Sequence, residues 1–159
     1  MVRSAGAAKP FRYFLDISSP LLFTTDDADA SIRNYLRKTS QKPTADTADM
    51  IRALLESLAW AYRETLVQLT TLTGRKLRRV CLVGGGSQNR LLCQMTADAT
   101  GLEVIAGPAE ATIIGNLAAQ ALATRQLHST ADIRKLVQNS FDLKTYRPRA
   151  TGPWDEHFH

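Results

Sequence analysis

Apolar residues recur at three- and four-residue steps through the middle of the chain: Ile51, Leu54, Leu55, Leu58, Tyr62, Leu66, Leu69 and Leu72. That spacing lays one apolar stripe along a helix. A helix is therefore expected from Asp46 to Thr73, ended by Gly74 in the left-handed conformation. At 1.5 Å per residue it is about 40 Å long, enough to run along a whole sheet face. A shorter helix is expected from Asp27 to Lys38, with Ile32, Tyr35 and Leu36 on one face. Thr24-Thr25-Asp26-Asp27 supplies its entry and Lys42-Pro43-Thr44 breaks the pattern after it. Val80 to Val83 reads as a buried strand, and Leu102 to Ile105 as a second, closed by Gly107-Pro108. Further helices are expected from Asn89 to Thr100, stopping at Gly101, from Ala111 to Thr124, and from Ser129 to about Asn139. The helix at 111–124 is rich in small residues, and Gly115 there suits close packing. Residues 1–25 have no period and read as an irregular lead-in, with a short extended piece at Phe11–Asp16. Residues 141–159 read as an extended, partly loose tail. The body of the domain is then 26–140.

Helix, strand, glycine loop, helix, strand, helix is an α/β order. Two strands make a poor sheet by themselves, so the sheet is expected to be incomplete. A composition of 44% apolar and 22% charged residues fits a globular chain with a real core. No apolar run approaches the roughly 20 residues that span a bilayer. Met1 to Pro10 lacks a continuous apolar stretch, so a secretory signal is not expected. Cys81 and Cys93 match no zinc spacing and are too few for a disulfide framework; buried, reduced thiols in the cytoplasm are the expectation. His128, His157 and His159 have no ligand spacing either and read as solvated. The net charge of +5 is spread along the chain. Its densest group, Arg75 to Arg79, has no interleaved aromatics and reads as a solvated connector, not a nucleic-acid patch.

The chemistry concentrates at Val83-Gly84-Gly85-Gly86-Ser87-Gln88-Asn89, where a strand meets a helix. Glycines let a ligand approach the backbone closely because no Cβ intervenes. The following helix start leaves N–H donors and a positive dipole end facing outward. Anions and nucleotides suit such a corner. The same residues also describe a plain turn capped by Asn or Ser, with no ligand. Glu110, Thr112 and Gly115 form a second cluster, as a first-turn carboxylate, a helix cap and a site of tight packing. Asp98, helical, reads as a surface or structural residue.

Val83 to Gly101 resembles the nucleotide-binding segment of the FGGY carbohydrate kinases. The run Val104-Ile105-Ala106-Gly107-Pro108-Ala109-Glu110-Ala111-Thr112, followed by Gly115-Asn116, resembles the rhamnulokinase branch of that family. Ile51 to Arg63, Phe141 to Tyr146 and Trp154-Asp155-Glu156 match as well, so the resemblance covers about residues 14–157.

The resemblance implies the C-terminal portion of an actin-like ATPase (ribonuclease H-like) domain, helix-rich and with few strands. It implies that Gly84, Gly85, Gly86, Ser87, Gln88 and Asn89 bind nucleotide, with Gly85 and Gly86 passing close to it and Asn89 at the adenine end. ATP/ADP and Mg2+ are implied for the intact enzyme, together with L-rhamnulose as the acceptor that becomes L-rhamnulose 1-phosphate. Family members are much longer, and their sugar site and Asp general base lie upstream of the matched region. No catalytic residue and no resident metal site is therefore expected here, and sugar phosphorylation by this polypeptide alone is not expected. No nucleic-acid or membrane partner is expected; an N-terminal kinase half or a second copy is. The rival readings are a non-catalytic nucleotide- or partner-binding module, and a piece of another FGGY kinase such as an L-fuculokinase or xylulokinase.

Overall fold

The computed structural model describes residues 2–23 and 25–157; Thr24 at the expected helix entry and His159 in the tail lie outside it, as do Met1 and Phe158. The spine is a 27-residue helix, Thr47–Thr73 (α3), preceded by Val2–Ala7 (α1) and Ala28–Lys38 (α2). Local chemistry sets its ends. The Asp46 side chain accepts the Ala48 N–H at 2.8 Å, and Gly74, at φ 64°, returns its N–H to Thr70 O at 2.9 Å. Asp27 caps α2 in the same way, accepting from Asp29 N and Ala30 N.

Three strands form one sheet in the order β1-β2-β3: Arg79–Leu82 (β1), Glu103–Ala106 (β2) and Lys144–Tyr146 (β3). β1 and β2 are parallel, with Leu82 opposite Ala106, and are joined through the helix Arg90–Thr100 (α4). β3 returns antiparallel, placing Tyr146 opposite Val104. The third strand and the closing helix, Gly152–His157 (α7), both fall in residues expected to be an extended tail. Three residues are too few to show a period, so pairing with the exposed edge of β2 makes this strand, not local preference. The lead-in is likewise ordered: α1 packs on α3 with Ala5 fully buried, and Pro20–Phe23 is a 3-10 turn.

α4 is the element that unites the core. Leu92, Met95 and Ala99 pack against Leu55 and Ala59 of α3 and against Trp154 of α7. Its other side, with Cys93 and Ala97, meets Leu82, Val104 and Ala106 of the sheet. A separate cluster of Tyr13, Leu15, Ile32, Tyr35, Leu36, Met50 and Ala53 seats the lead-in on α2 and α3. Each fully buried Leu here contributes roughly 1.5–3 kcal/mol.

Only one face of the sheet is covered by α4. Alternation along β1 therefore buries Leu82 and leaves Cys81 exposed, against the expectation that both thiols are buried. The helices Ala111–Ala123 (α5) and Thr130–Ser140 (α6) stand off the core, and Leu117 is 60% exposed. A Cβ at Gly115 would meet nothing within 4 Å, so the close packing expected there is not made among the described residues. The far half of α3 also leaves the body, exposing Val67, Leu69 and Leu72, the last by 82%. Arg75, Lys76 and Arg78 are exposed, as a solvated connector requires, and Arg79, also exposed, is already the first residue of β1.

Candidate functional site

The glycine corner is a 3-10 turn, Gly85–Gln88, set between β1 and α4 at the carboxyl end of the parallel strands. Open α/β sheets receive ligands at that end. Gly84 has φ 77° and ψ −165°, a conformation essentially restricted to glycine. That geometry lets its N–H donate to Pro108 O at 3.1 Å, while Gly107 N donates to Leu82 O at 2.8 Å. The two strand exits are thus tied together below the turn.

Within the turn, Ser87 is buried, and its N–H and hydroxyl both donate to Gly84 O, at 3.1 and 2.7 Å. Cys93 supports the turn from beneath, its thiol 3.5 Å from Ser87 O, and burial pushes that thiol's pKa up. Asn89 is the N-cap of α4: Oδ1 accepts the N–H groups of Leu91 and Leu92 at 3.1 and 3.2 Å. Among the described residues the N–H groups of Gly85 and Gly86 have no protein acceptor. A Cβ at Gly85 would face open space, so this stretch of backbone is bare to an approaching group.

Two grooves open on either side of Gln88 and Arg90. The larger, about 750 Å³, includes Gly85, Gln88, Asn89, Arg90, Tyr146 and Arg149 in its walls. The smaller, about 280 Å³, includes Ser87, Gln88, Arg90, Gly107, Asp142 and Lys144. Of the six residues singled out from the sequence, Gly85, Ser87, Gln88 and Asn89 line a groove. Gly84 and Gly86 line neither and instead shape the turn.

Thr112 does not cap α5. The cap position belongs to Glu110, and no side chain there makes a capping bond. Asp98 is structural, as expected: Oδ1 accepts Arg149 N at 2.6 Å, Ala150 N at 3.4 Å and Gln94 Nε2 at 3.0 Å, fastening the tail to α4. Tyr146 and Arg149 were not singled out from the sequence. The available signal was Tyr146-Arg147-Pro148, an extended step before proline, which gives no hint of where the chain lies.

Among the described residues no three His, Cys, Asp or Glu side chains gather as metal ligands, and no helix is long and apolar enough to cross a membrane.

Residues 2–124 match the model of the C-terminal domain of the FGGY family of carbohydrate kinases. Over 155 residues, 98% of the chain, it is 37% identical to a rhamnulokinase of Bacteroides thetaiotaomicron. Over 149 residues, 94% of the chain, it is 35% identical to a rhamnulokinase of Mannheimia succiniciproducens. It spans about a third of the length of these relatives, 32% and 31% respectively. The family match runs through both parallel strands and the glycine corner that joins them to α4, and so the chain belongs to the FGGY family of carbohydrate kinases, in its C-terminal domain, with the actin-like ATPase fold.

Proposed function

We propose that this chain is the nucleotide-binding part of a sugar kinase that transfers a phosphoryl group from ATP to L-rhamnulose, yielding ADP and L-rhamnulose 1-phosphate. The observation that carries this reading is the 37% and 35% identity to two rhamnulokinases over nearly the whole chain. Gly84, Gly85, Gly86, Ser87, Gln88 and Asn89 form the nucleotide site. The bare N–H groups of Gly85 and Gly86 face phosphate oxygens, helped by the positive end of α4. The Asn89 Nδ2 group donates to the adenine end, since its Oδ1 is taken by the cap.

Mg2+ arrives with the nucleotide. Phosphate oxygens and waters would supply most of its coordination, so this chain would need no dedicated carboxylate cluster. Transfer rests on positioning and charge neutralisation. The acceptor hydroxyl gives its proton to a carboxylate contributed by polypeptide outside this chain. That polypeptide also covers the apolar outer half of α3. The two halves close to exclude water during transfer. The setting is the cytoplasm, where free thiols such as Cys81 and Cys93 stay reduced.

The test is calorimetric titration of the chain with ATP, beside an assay of L-rhamnulose-dependent ADP release. The wild type is expected to bind ATP and to release no ADP. Asn89→Asp keeps the cap and loses the Nδ2 donor, so it is expected to fold normally and bind more weakly. Turnover by this chain alone, or undiminished binding by Asn89→Asp, refutes the assignment of roles.

A further inference from the structure

The larger groove at the glycine corner is not built from the corner alone. Its opposite wall is the C-terminal segment: Tyr146 from β3 and Arg149 from the loop after it. Both lie beyond residue 124, where the family-model match ends. The groove carries two guanidinium side chains, Arg90 and Arg149, and no carboxylate among its lining residues. Both are exposed, and among the described residues neither takes part in an ion pair. By contrast, Arg147, two residues earlier, is engaged with Glu103 at 3.5 Å.

Arg149 is held at this place by its main chain. Asp98 Oδ1 accepts the N–H groups of Arg149 and Ala150, and Gln94 Nε2 bridges Asp98 Oδ1 and Arg147 O at 3.0 and 2.9 Å. One carboxylate on α4 therefore fixes the backbone on both sides of the Arg149 side chain. Asp98 itself does not line the groove.

We propose that Arg149 is a polyphosphate-binding residue of the nucleotide groove and that Asp98 is the residue that positions it. This rests on the reading that the corner binds nucleotide and adds to it a contact from outside the matched family segment. A guanidinium fork suits phosphate oxygens, and its bond is charge-assisted. It therefore acts on the phosphates and leaves the nucleoside untouched.

The experiment measures binding of ATP and of adenosine to the full chain by calorimetry, at low and at raised salt. Arg149→Ala is expected to weaken ATP by about tenfold, the loss of one charge-assisted contact, to flatten the salt dependence, and to leave adenosine unchanged. Asp98→Ala is expected to produce the same selective loss. Asp98→Asn, which keeps an oxygen acceptor for the two N–H groups, is expected to restore most of it. A merely structural Asp98 would lower ATP and adenosine binding together, and that result overturns the positioning role. If wild type binds ATP and Arg149→Ala binds it equally well, the inference fails while the nucleotide site stands. If wild type binds neither ligand, the nucleotide reading and this inference fail together.

Discussion

Gly84 offers the sharpest test of how the corner is built. Its φ of 77° and ψ of −165° fall in a region that costs a residue with a Cβ about 1–3 kcal/mol. A Cβ there would find its nearest neighbour, Ala109 O, at 4.0 Å, so no clash adds to that cost. Alanine also restricts the unfolded chain, which returns roughly 0.4–1 kcal/mol. The net loss for Gly84→Ala is then about 1–2 kcal/mol, a fall of roughly five- to thirtyfold in the folding equilibrium. Gly85→Ala is the control: its Cβ faces open space, its backbone is not left-handed, and its stability should stay within about 0.5 kcal/mol of wild type. Urea unfolding of the three proteins reads both numbers. Gly85→Ala is further expected to weaken ATP, because its methyl stands where the ligand meets the backbone. Equal stability of Gly84→Ala and wild type would refute the reasoning, since the peptide would then reorient without loss of the Gly84–Pro108 bond.

Two other perturbations reach the ends of the chain. Glu56 is 1% exposed, bonded by Arg52 Nε at 2.7 Å and by Phe11 N at 2.9 Å, and burial raises its pKa above the ordinary value near 4.5 despite those partners. The folded chain thus holds this proton more tightly than the unfolded chain, and the Glu56 contribution to stability falls as pH rises from about 4.5 through the raised value. Glu56→Gln removes that slope, so wild type should lose ground to the variant across this window in urea titrations; a growing wild-type advantage would contradict the sign. Trp154 is buried against α3 and α4 and edge-on to Phe11 at 5.0 Å, so Trp154→Ala should cost about 3–5 kcal/mol in thermal or urea unfolding; a loss under about 1 kcal/mol would mean that α7 is not part of the core.

Elements with their own punctuation were legible in the sequence. α3 lies between the caps Asp46 and Gly74 as its stripe and punctuation indicate, and α4 lies between Asn89 and Gly101 for the same reason. What the sequence could not reveal was made by distant partners. β3 exists because the edge of β2 receives it, and α7 because Trp154 reaches the gap between α3 and α4. Periodicity also cannot tell whether an apolar face has a partner: the stripe of α3 is continuous in sequence, yet Leu55 is buried and Leu72 is not. At the candidate site the turn was legible from its glycines and from Asn89. The opposite wall was not, because Asp98 fastens Arg149 across 51 residues of sequence.

The unequal setting of the two thiols has a practical consequence. Cys81 is open to solvent in β1, just before the corner, while Cys93 is enclosed and its ionisation suppressed by burial. A maleimide dye should therefore modify the native protein at a single position, with no engineered cysteine. The attached fluorophore would report nucleotide occupancy from beside the strand that feeds the groove.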